Sequence, residues 1–326
     1  MNIARLRRSL LALASLLIPC ASAQAQGAPY PNHAIRLVVP YSAGGIADVL
    51  ARVVAERLSV RLGQNVVIDN RAGAGGHVGG EFVAAAPADG YTLMLGTIAH
   101  NGAVALYRNL RYDPTTALKP VILIAESPSV LLVNQALPVQ SVGELLALAR
   151  ARPGYLSYGS AGNGSAIHMA AELFKYMTRT DIVHIPYKGA APAMTDLLSG
   201  QIPMLFESAG TAPQHVKSGR VRVLAVTSAQ RLPSMPEVPT LAEAGVPGYA
   251  AVPWYTISVA RDVPAEIVQK LNAELNAVLK AADLVQRWEP LGVMALGGTP
   301  EDAVRRNRAE TERWTAVINA ARLSAD

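Results

Sequence analysis

The sequence predicts an α/β fold of two lobes joined by two chain crossings, and three observations carry the prediction. Short runs of β-branched and aliphatic residues alternate with stretches of helical periodicity along most of the chain, the pattern of βα units. The stretch from Gln26 to Asp326, which follows an N-terminal export signal, is longer than one hydrophobic core normally organises. A proline-rich connector, Arg231 to Pro253 with Pro233, Pro236, Pro239, Pro247 and Pro253, separates the second series of units from a strand and helices that return to the first.

The export signal is read from Arg5, Arg7 and Arg8, the apolar run Leu10 to Ile18, and the small residues Ala21 to Ala25. The apolar run is too short to span a bilayer, and cleavage is expected after Ala25, leaving a periplasmic protein. Pro19 precedes Cys20, where a lipidated cysteine normally follows a small residue, so lipid anchoring is not expected. Cys20 is the only cysteine, so the mature chain has no thiol for a disulfide, a metal or nucleophilic attack. Three of the 29 Lys and Arg residues and none of the 24 Asp and Glu residues lie in the signal, so the mature protein is close to neutral. No nucleic-acid surface is indicated.

Strand Ile35 to Pro40 leads through a Gly-bearing turn into helix Ile46 to Leu62, whose apolar residues recur at Ile46, Val49, Leu50, Val53, Val54 and Leu58. Strand Asn65 to Ile68, a Gly-rich turn, a helix to Ala86 and strand Tyr91 to Leu95 repeat the plan, implying a largely parallel sheet. Two strands, Val121 to Ala125 and Val130 to Val133, flank Glu126-Ser127-Pro128-Ser129, where the first crossing is placed. The second lobe then runs through helix Val142 to Arg150, strand Leu156 to Tyr158, helix Ser165 to Met177, strand Ile182 to Ile185, helix Ala191 to Ser199, and strands Ile202 to Phe206 and Val221 to Thr227. The connector holds a short helical piece around Leu241 to Ala244. Strand Trp254 to Val259 and helices Ala265 to Ala281 and Pro300 to Ala321 complete the first lobe. The expected division is residues 1–25 for the signal, 26–127 with 249–326 for the first domain, and 128–248 for the second.

Two loops carry the candidate site. Tyr41-Ser42-Ala43-Gly44-Gly45 joins the carboxyl end of a strand to the amino end of a helix, where unpaired amides and the helix dipole favour a carboxylate. Asp48, in the first helical turn, caps the helix or bonds a donor on the ligand. Ser160-Ala161-Gly162-Asn163-Gly164-Ser165 repeats the arrangement in the other lobe, with Ser165 as helix cap and His168 one turn in, within reach of Glu172 at i+4. Two helix amino ends facing across a cleft form a clamp for a small carboxylate, placed where open α/β sheets bind ligands.

Other chemistries lack their motifs. Gly73 to Gly80 departs from G-x-G-x-x-G because Val78 takes the sixth position. There is no phosphate loop, no nucleophile elbow and no H-E-x-x-H, and the histidine spacings suggest no metal site. Lys188 reads as a loop lysine. No cofactor and no catalytic residue are expected; the rival is an exported hydrolase using Ser165 with His168.

Residues Pro40 to Arg52, Asp69 to Gly76, Asp89 to Leu93, Tyr158 to His168, Pro186 to Gly189, Leu224 to Ser228 and Val238 to Gly245 together resemble the Bug family of extracytoplasmic solute receptors. The resemblance covers nearly the whole mature chain. It implies a two-domain, type II periplasmic binding protein of the Venus-flytrap kind, monomeric, serving the membrane permease of a tripartite tricarboxylate transporter; presentation of the liganded form to a sensor is a rival reading that the sequence does not separate from it. It implies ligand contacts at Tyr41 to Gly45 with Asp48, at Ser160, Ala161, Gly162, Gly164 and Ser165 with His168, and at Tyr187 and Gly189. Thr97 and Asn101 are added as cleft lining, and Glu207 and Ser208 as residues after a second-lobe strand. Family ligands are amino acids, di- and tricarboxylates and aromatic acids. The chain departs from the family at Ile98-Ala99-His100-Asn101-Gly102-Ala103, where members commonly read Thr-His-Ala-x-Asn-Pro, and at Glu207, where they more often carry Asp.

Overall fold

Strand β1 (Ile35–Val39) forms because Ile35, Leu37, Val38 and Val39 are β-branched or aliphatic and are buried in the finished sheet. This is a computed structural model, and it describes residues 30–101 and 104–325. The export signal, Cys20 and the Gly102-Ala103 pair lie outside the described residues. The compact unit His33–Asp326 holds two sheets. Among the described residues no helix is long and apolar enough to cross a membrane.

The first sheet runs in the order β11-β4-β10-β3-β1-β2, with β2 Val66–Asn70, β3 Thr92–Gly96, β4 Leu118–Glu126, β10 Trp254–Ala260 and β11 Met294–Ala295. The second runs β7-β6-β8-β5-β9, with β5 Ser129–Asn134, β6 Ser157–Ser160, β7 Val183–Pro186, β8 Met204–Ser208 and β9 Val221–Val226. Each sheet is mixed rather than largely parallel. Strand β1 pairs in parallel with β2 and β3, and β6 with β7 and β8, but β10 is antiparallel to β3 and β4, and β5 to β8 and β9. The βα units supply the parallel pairs. The strands that follow the crossings, β5 and β10, enter their sheets from the opposite end, which alternation along the sequence does not reveal.

Helices α1 (Ile46–Leu62) and α2 (His77–Ala84) belong to the first lobe, α3 (Val142–Ala151), α4 (Ala166–Thr178) and α5 (Ala190–Ser199) to the second, and α6 (Ala265–Leu279) and α7 (Pro300–Ala321) again to the first. Helix α1 packs against β2 and α6, and α6 and α7 against β4; α4 and α5 both pack on β6 and β8. The first core places Val38, Met94, Val83 and Leu118 together. In the second, the Phe174 and Phe206 rings lie 5.9 Å apart. Each such side chain contributes about 1.5–3 kcal/mol on full burial.

The chain leaves the first sheet after Glu126 and returns to it at Trp254, and the two passages lie side by side. Ser127 N–H donates to Pro253 O at 2.9 Å, Ala251 N–H to Thr227 O at 2.9 Å, and Ser129 N–H to the Thr227 hydroxyl at 2.9 Å. The connector piece around Leu241 is a turn rather than a helix. Thr240 and Glu243 bond each other's amides through their side chains, as in a capping box, but the chain turns away at Gly245 (φ 108°). Short elements at Ile98–Asn101, Val104–Leu106, Pro114–Ala117, Ala212–Val216, Ala282–Trp288 and Glu289–Leu291 fill the remaining connections.

Candidate functional site

The carboxyl ends of β1, β6 and β7 each deliver the chain to a helix amino end, those of α1, α4 and α5, and all three ends border one cavity of about 50 Å³ between the sheets. Gly45 and Gly189 precede α1 and α5 without any side-chain cap. Ser165 precedes α4, and its hydroxyl accepts from the His168 amide at 3.3 Å. The first amides of each helix have no intrahelical acceptor, so the cavity wall carries concentrated positive partial charge.

The first loop is stiffened by a buried carboxylate. Asp48 accepts from Gly44 N–H at 3.1 Å, from Arg52 Nε at 2.8 Å and from Asn70 Nδ2 at 3.0 Å, and the same Asn70 amide reaches Tyr41 O at 3.0 Å. Burial pushes the Asp48 carboxyl up, but its bonds to Arg52, Asn70 and Gly44 outweigh that and hold it below its ordinary value. Its oxygens are thus spent on the loop. Tyr41 donates to Gly75 O at 3.1 Å and bonds the Thr97 hydroxyl at 3.0 Å; burial pushes its phenol up to about 12. The segment that departs from the family pattern forms the short helix Ile98–Asn101. From it, His100 accepts from Thr97 N–H at 3.3 Å and approaches Gly76 O at 3.0 Å, tying the Thr97 turn to the Gly73–Gly76 segment of the same lobe.

The second loop is held by neutral groups. The Ser160 hydroxyl bonds His184 Nε2 at 2.6 Å and accepts from Gly162 N–H at 3.1 Å, while His168 Nδ1 accepts from Gly164 N–H at 3.1 Å. The His168 and His184 rings lie 4.3 Å apart, and burial lowers both to about 3, so both are neutral at pH 7. The expected His168–Glu172 pair does not form. Glu172 instead takes the Tyr158 hydroxyl at 2.5 Å and Lys175 at 2.6 Å. His168 bonds Ser165 only through its backbone amide, so these two side chains do not make the serine–imidazole contact of a hydrolase.

Of the residues predicted from sequence, Tyr41, Ser42, Gly45, Thr97, Ala161 and Ser165 line the cavity. Asp48, Ser160, Gly162, Gly164 and His168 support the loops from behind, and Ala43 and Gly44 lie on the exposed side of the first. Gly189 touches the opposite lobe: a Cβ there would stand 2.0 Å from Ser42 Oγ. Tyr187 donates to Asp196 at 2.7 Å, away from the cavity wall. Glu207 accepts from Thr211 at 2.5 Å and Ser208 N–H at 2.9 Å, with its carboxyl pushed up by burial, and Ser208 bonds Ser127 of the first crossing at 2.9 Å. Asn101 closes its short helix, and its side chain lies outside the described residues. The cavity also takes Ile46, Ala47, Ala166, Ile167, Ala190, Trp254 and Tyr255, which sequence reasoning missed. The first residues of each helix were implicit in the loop argument; nothing in the sequence marked the β10 pair. No group of three His, Cys, Asp or Glu side chains suited to a metal ion occurs among the described residues.

The lobes touch around this cavity. Ser42 N–H donates to Lys188 O at 3.3 Å, Tyr107 OH to Asn163 O at 2.5 Å, and Asn163 Nδ2 to Ala325 O at 3.2 Å.

The family model described as the tripartite tricarboxylate transporter family receptor matches residues 50–323. BugT of Bordetella pertussis is 36% identical over 322 residues, covering 98% of each chain. The solved structure of R. palustris Rpa4515 with adipate is 42% identical with a TM-score of 0.87, over 90% of this chain and 99% of that one. MatC from Rhodopseudomonas palustris with bound malate is 31% identical with a TM-score of 0.85, over 89% of this chain and 100% of that one. These are receptors that bind solutes, and the two-lobed fold is that of periplasmic binding proteins. On the length of the match and the agreement of fold, the chain belongs to the tripartite tricarboxylate transporter receptor family, the Bug-like receptors that its loop sequences resembled.

Proposed function

We propose that the mature protein is exported to the periplasm, captures one small carboxylate between its lobes, and hands it to the permease of a tripartite tricarboxylate transporter without altering it. The observation that carries this reading is the convergence of three helix amino ends, at Gly45, Ser165 and Gly189, on one cavity without a charged side chain among its lining residues. Such a site takes an anion through backbone amides. Tyr41, Ser42, Gly45, Thr97, Ala161 and Ser165 contact the ligand in this reading, and Asp48, Ser160 and His168 keep the loops in place. The adipate and malate of two relatives support a carboxylate as the ligand class. Residues 26–127 with 249–326 and residues 128–248 act as the two moving bodies, closing about the paired crossings.

Native mass spectrometry of the purified mature protein, followed by a thermal-shift screen of amino, di-, tri- and aromatic acids, tests the proposal. A co-purifying acid, or a rise of several degrees with one acid, is the expected result. No bound acid and no shift across all four classes contradicts it.

A further inference from the structure

Two side-chain donors on the cavity wall have no acceptor. Trp254 opens β10 beside the second crossing, is 1% exposed and lines the cavity, yet its indole N–H bonds nothing. The Ser42 hydroxyl, on the first loop, is likewise buried and unpartnered. An indole N–H can only donate, and buried donors in folded proteins are nearly always satisfied. Ile46, Ile167 and Ala190 give the lining an apolar part, with Tyr255 beside them. The carboxylates closest to hand by sequence, Asp48 and Glu207, are bonded to their own neighbours and are not part of the lining.

We infer that this cavity selects a carboxylate with an apolar body and no amino group, and that Trp254 Nε1 and Ser42 Oγ donate hydrogen bonds to its oxygens. The inference rests on the carboxylate-receptor reading and narrows it. An ammonium group entering here loses its water beside three positive helix ends and meets no carboxylate in return. A methylene chain or an aromatic ring meets apolar wall instead.

The other two indoles serve as internal references. Trp314 already donates to Glu310 at 3.0 Å, and Trp288, also without an acceptor, is fully buried in the first lobe and is not among the lining residues. The experiment is calorimetric titration of the mature protein with C4 to C7 straight-chain dicarboxylates and benzoate, and with the amino-substituted counterpart of each. Trp254→Phe and Ser42→Ala are titrated beside the wild type, with their melting checked against it. The expected result is that one unsubstituted acid binds best, that its amino counterpart binds at least about tenfold more weakly, and that Trp254→Phe weakens that acid about tenfold, as loss of a bond to a charged group does. In the wild type, one indole N–H resonance of the three moves downfield on titration, and it is the one missing from Trp254→Phe. An amino acid binding as tightly as its unsubstituted counterpart overturns the selectivity. An indole spectrum unmoved by saturating acid overturns the role of Trp254, even if the variant fails to fold. Binding of none of these acids to the wild type defeats the carboxylate reading itself, a separate outcome.

Discussion

The Tyr41–Gly45 loop of the first lobe and the Ala161–Gly164 loop of the second each carry a strand into a helix amino end at the same cavity, but they are held by opposite chemistry. The first is fixed by an ionised carboxylate, Asp48, bonded at once to Arg52, Asn70 and the Gly44 amide. The second is fixed by hydroxyls and neutral imidazoles, Ser160 with His184, and His168 with the Gly164 amide. A helix end can therefore be made ready for an anion by charge or by neutral bonds. In both cases the charged or titratable group sits behind the loop and takes up a loop amide, at Gly44 or Gly164, so the first amides of the helix remain facing the cavity.

The comparison is broken most completely by keeping the loops from meeting. Gly75 has φ 63°, and a Cβ on it would stand 1.7 Å from Asn163 O of the facing lobe. Gly75→Ala is expected to hold the lobes apart and weaken ligand binding roughly hundredfold, with a much smaller change in the melting of the free protein. Unchanged affinity in calorimetry would mean that the contact is incidental.

Acid acts on both lobes. His77 and His100 in the first lobe, and His168 and His184 in the second, are lowered by burial to about 3, 4, 3 and 3. The unfolded chain binds protons on these rings near pH 6.5, so between that value and the lowered ones it holds more protons than the fold. Stability is then complete above about pH 6.5 and falls as the pH is lowered toward 4. The melting temperature is expected to drop by about 10 °C between pH 7 and pH 4.5. A flat profile over that range would contradict the neutral assignment.

The loops are separated by single substitutions. Asp48→Asn strikes the first alone: it is expected to cost about 1–2 kcal/mol of stability, moderated because Arg52 is half exposed, and to weaken binding without removing a ligand contact. The stability that the Asp48 carboxylate supplies is present above the ordinary carboxylate value and is lost as the pH falls through its lowered value, so the variant and wild type converge in strong acid. Ser165→Ala strikes the second, removing the cap of α4 at a cost of about 1 kcal/mol. Equal responses of binding to the two variants would erase the distinction between a supporting residue and a lining one. Salt gives the smallest effect. With no charged lining side chain, affinity should change by less than about threefold between low and moderate ionic strength.

Much of this was legible in the chain. The βα alternation gave the helices, and the glycine loops gave two of the three helix ends, because φ > 0 turns and caps are local signals: Gly44 at φ 92°, Gly162 at φ 109° and Ser165 as N-cap. The Asp48–Arg52 pair is an i, i+4 contact and could be read; its third partner, Asn70, comes from the next strand and could not. The reversed sense of β5 and β10 was not legible, since a crossing between lobes does not say from which end the chain enters the next sheet. Trp254 was seen only as the start of a strand. Its importance lies in an acceptor it does not have, a property of the assembled wall.

Amide chemical shifts test the central claim most directly. Titrating labelled mature protein with the acid that stabilises it most should move the backbone N–H resonances of Ile46, Ala47, Ala166, Ile167 and Ala190 furthest, as they take on a carboxylate acceptor. Shifts confined to one lobe, or centred away from these helix ends, would contradict capture between the lobes.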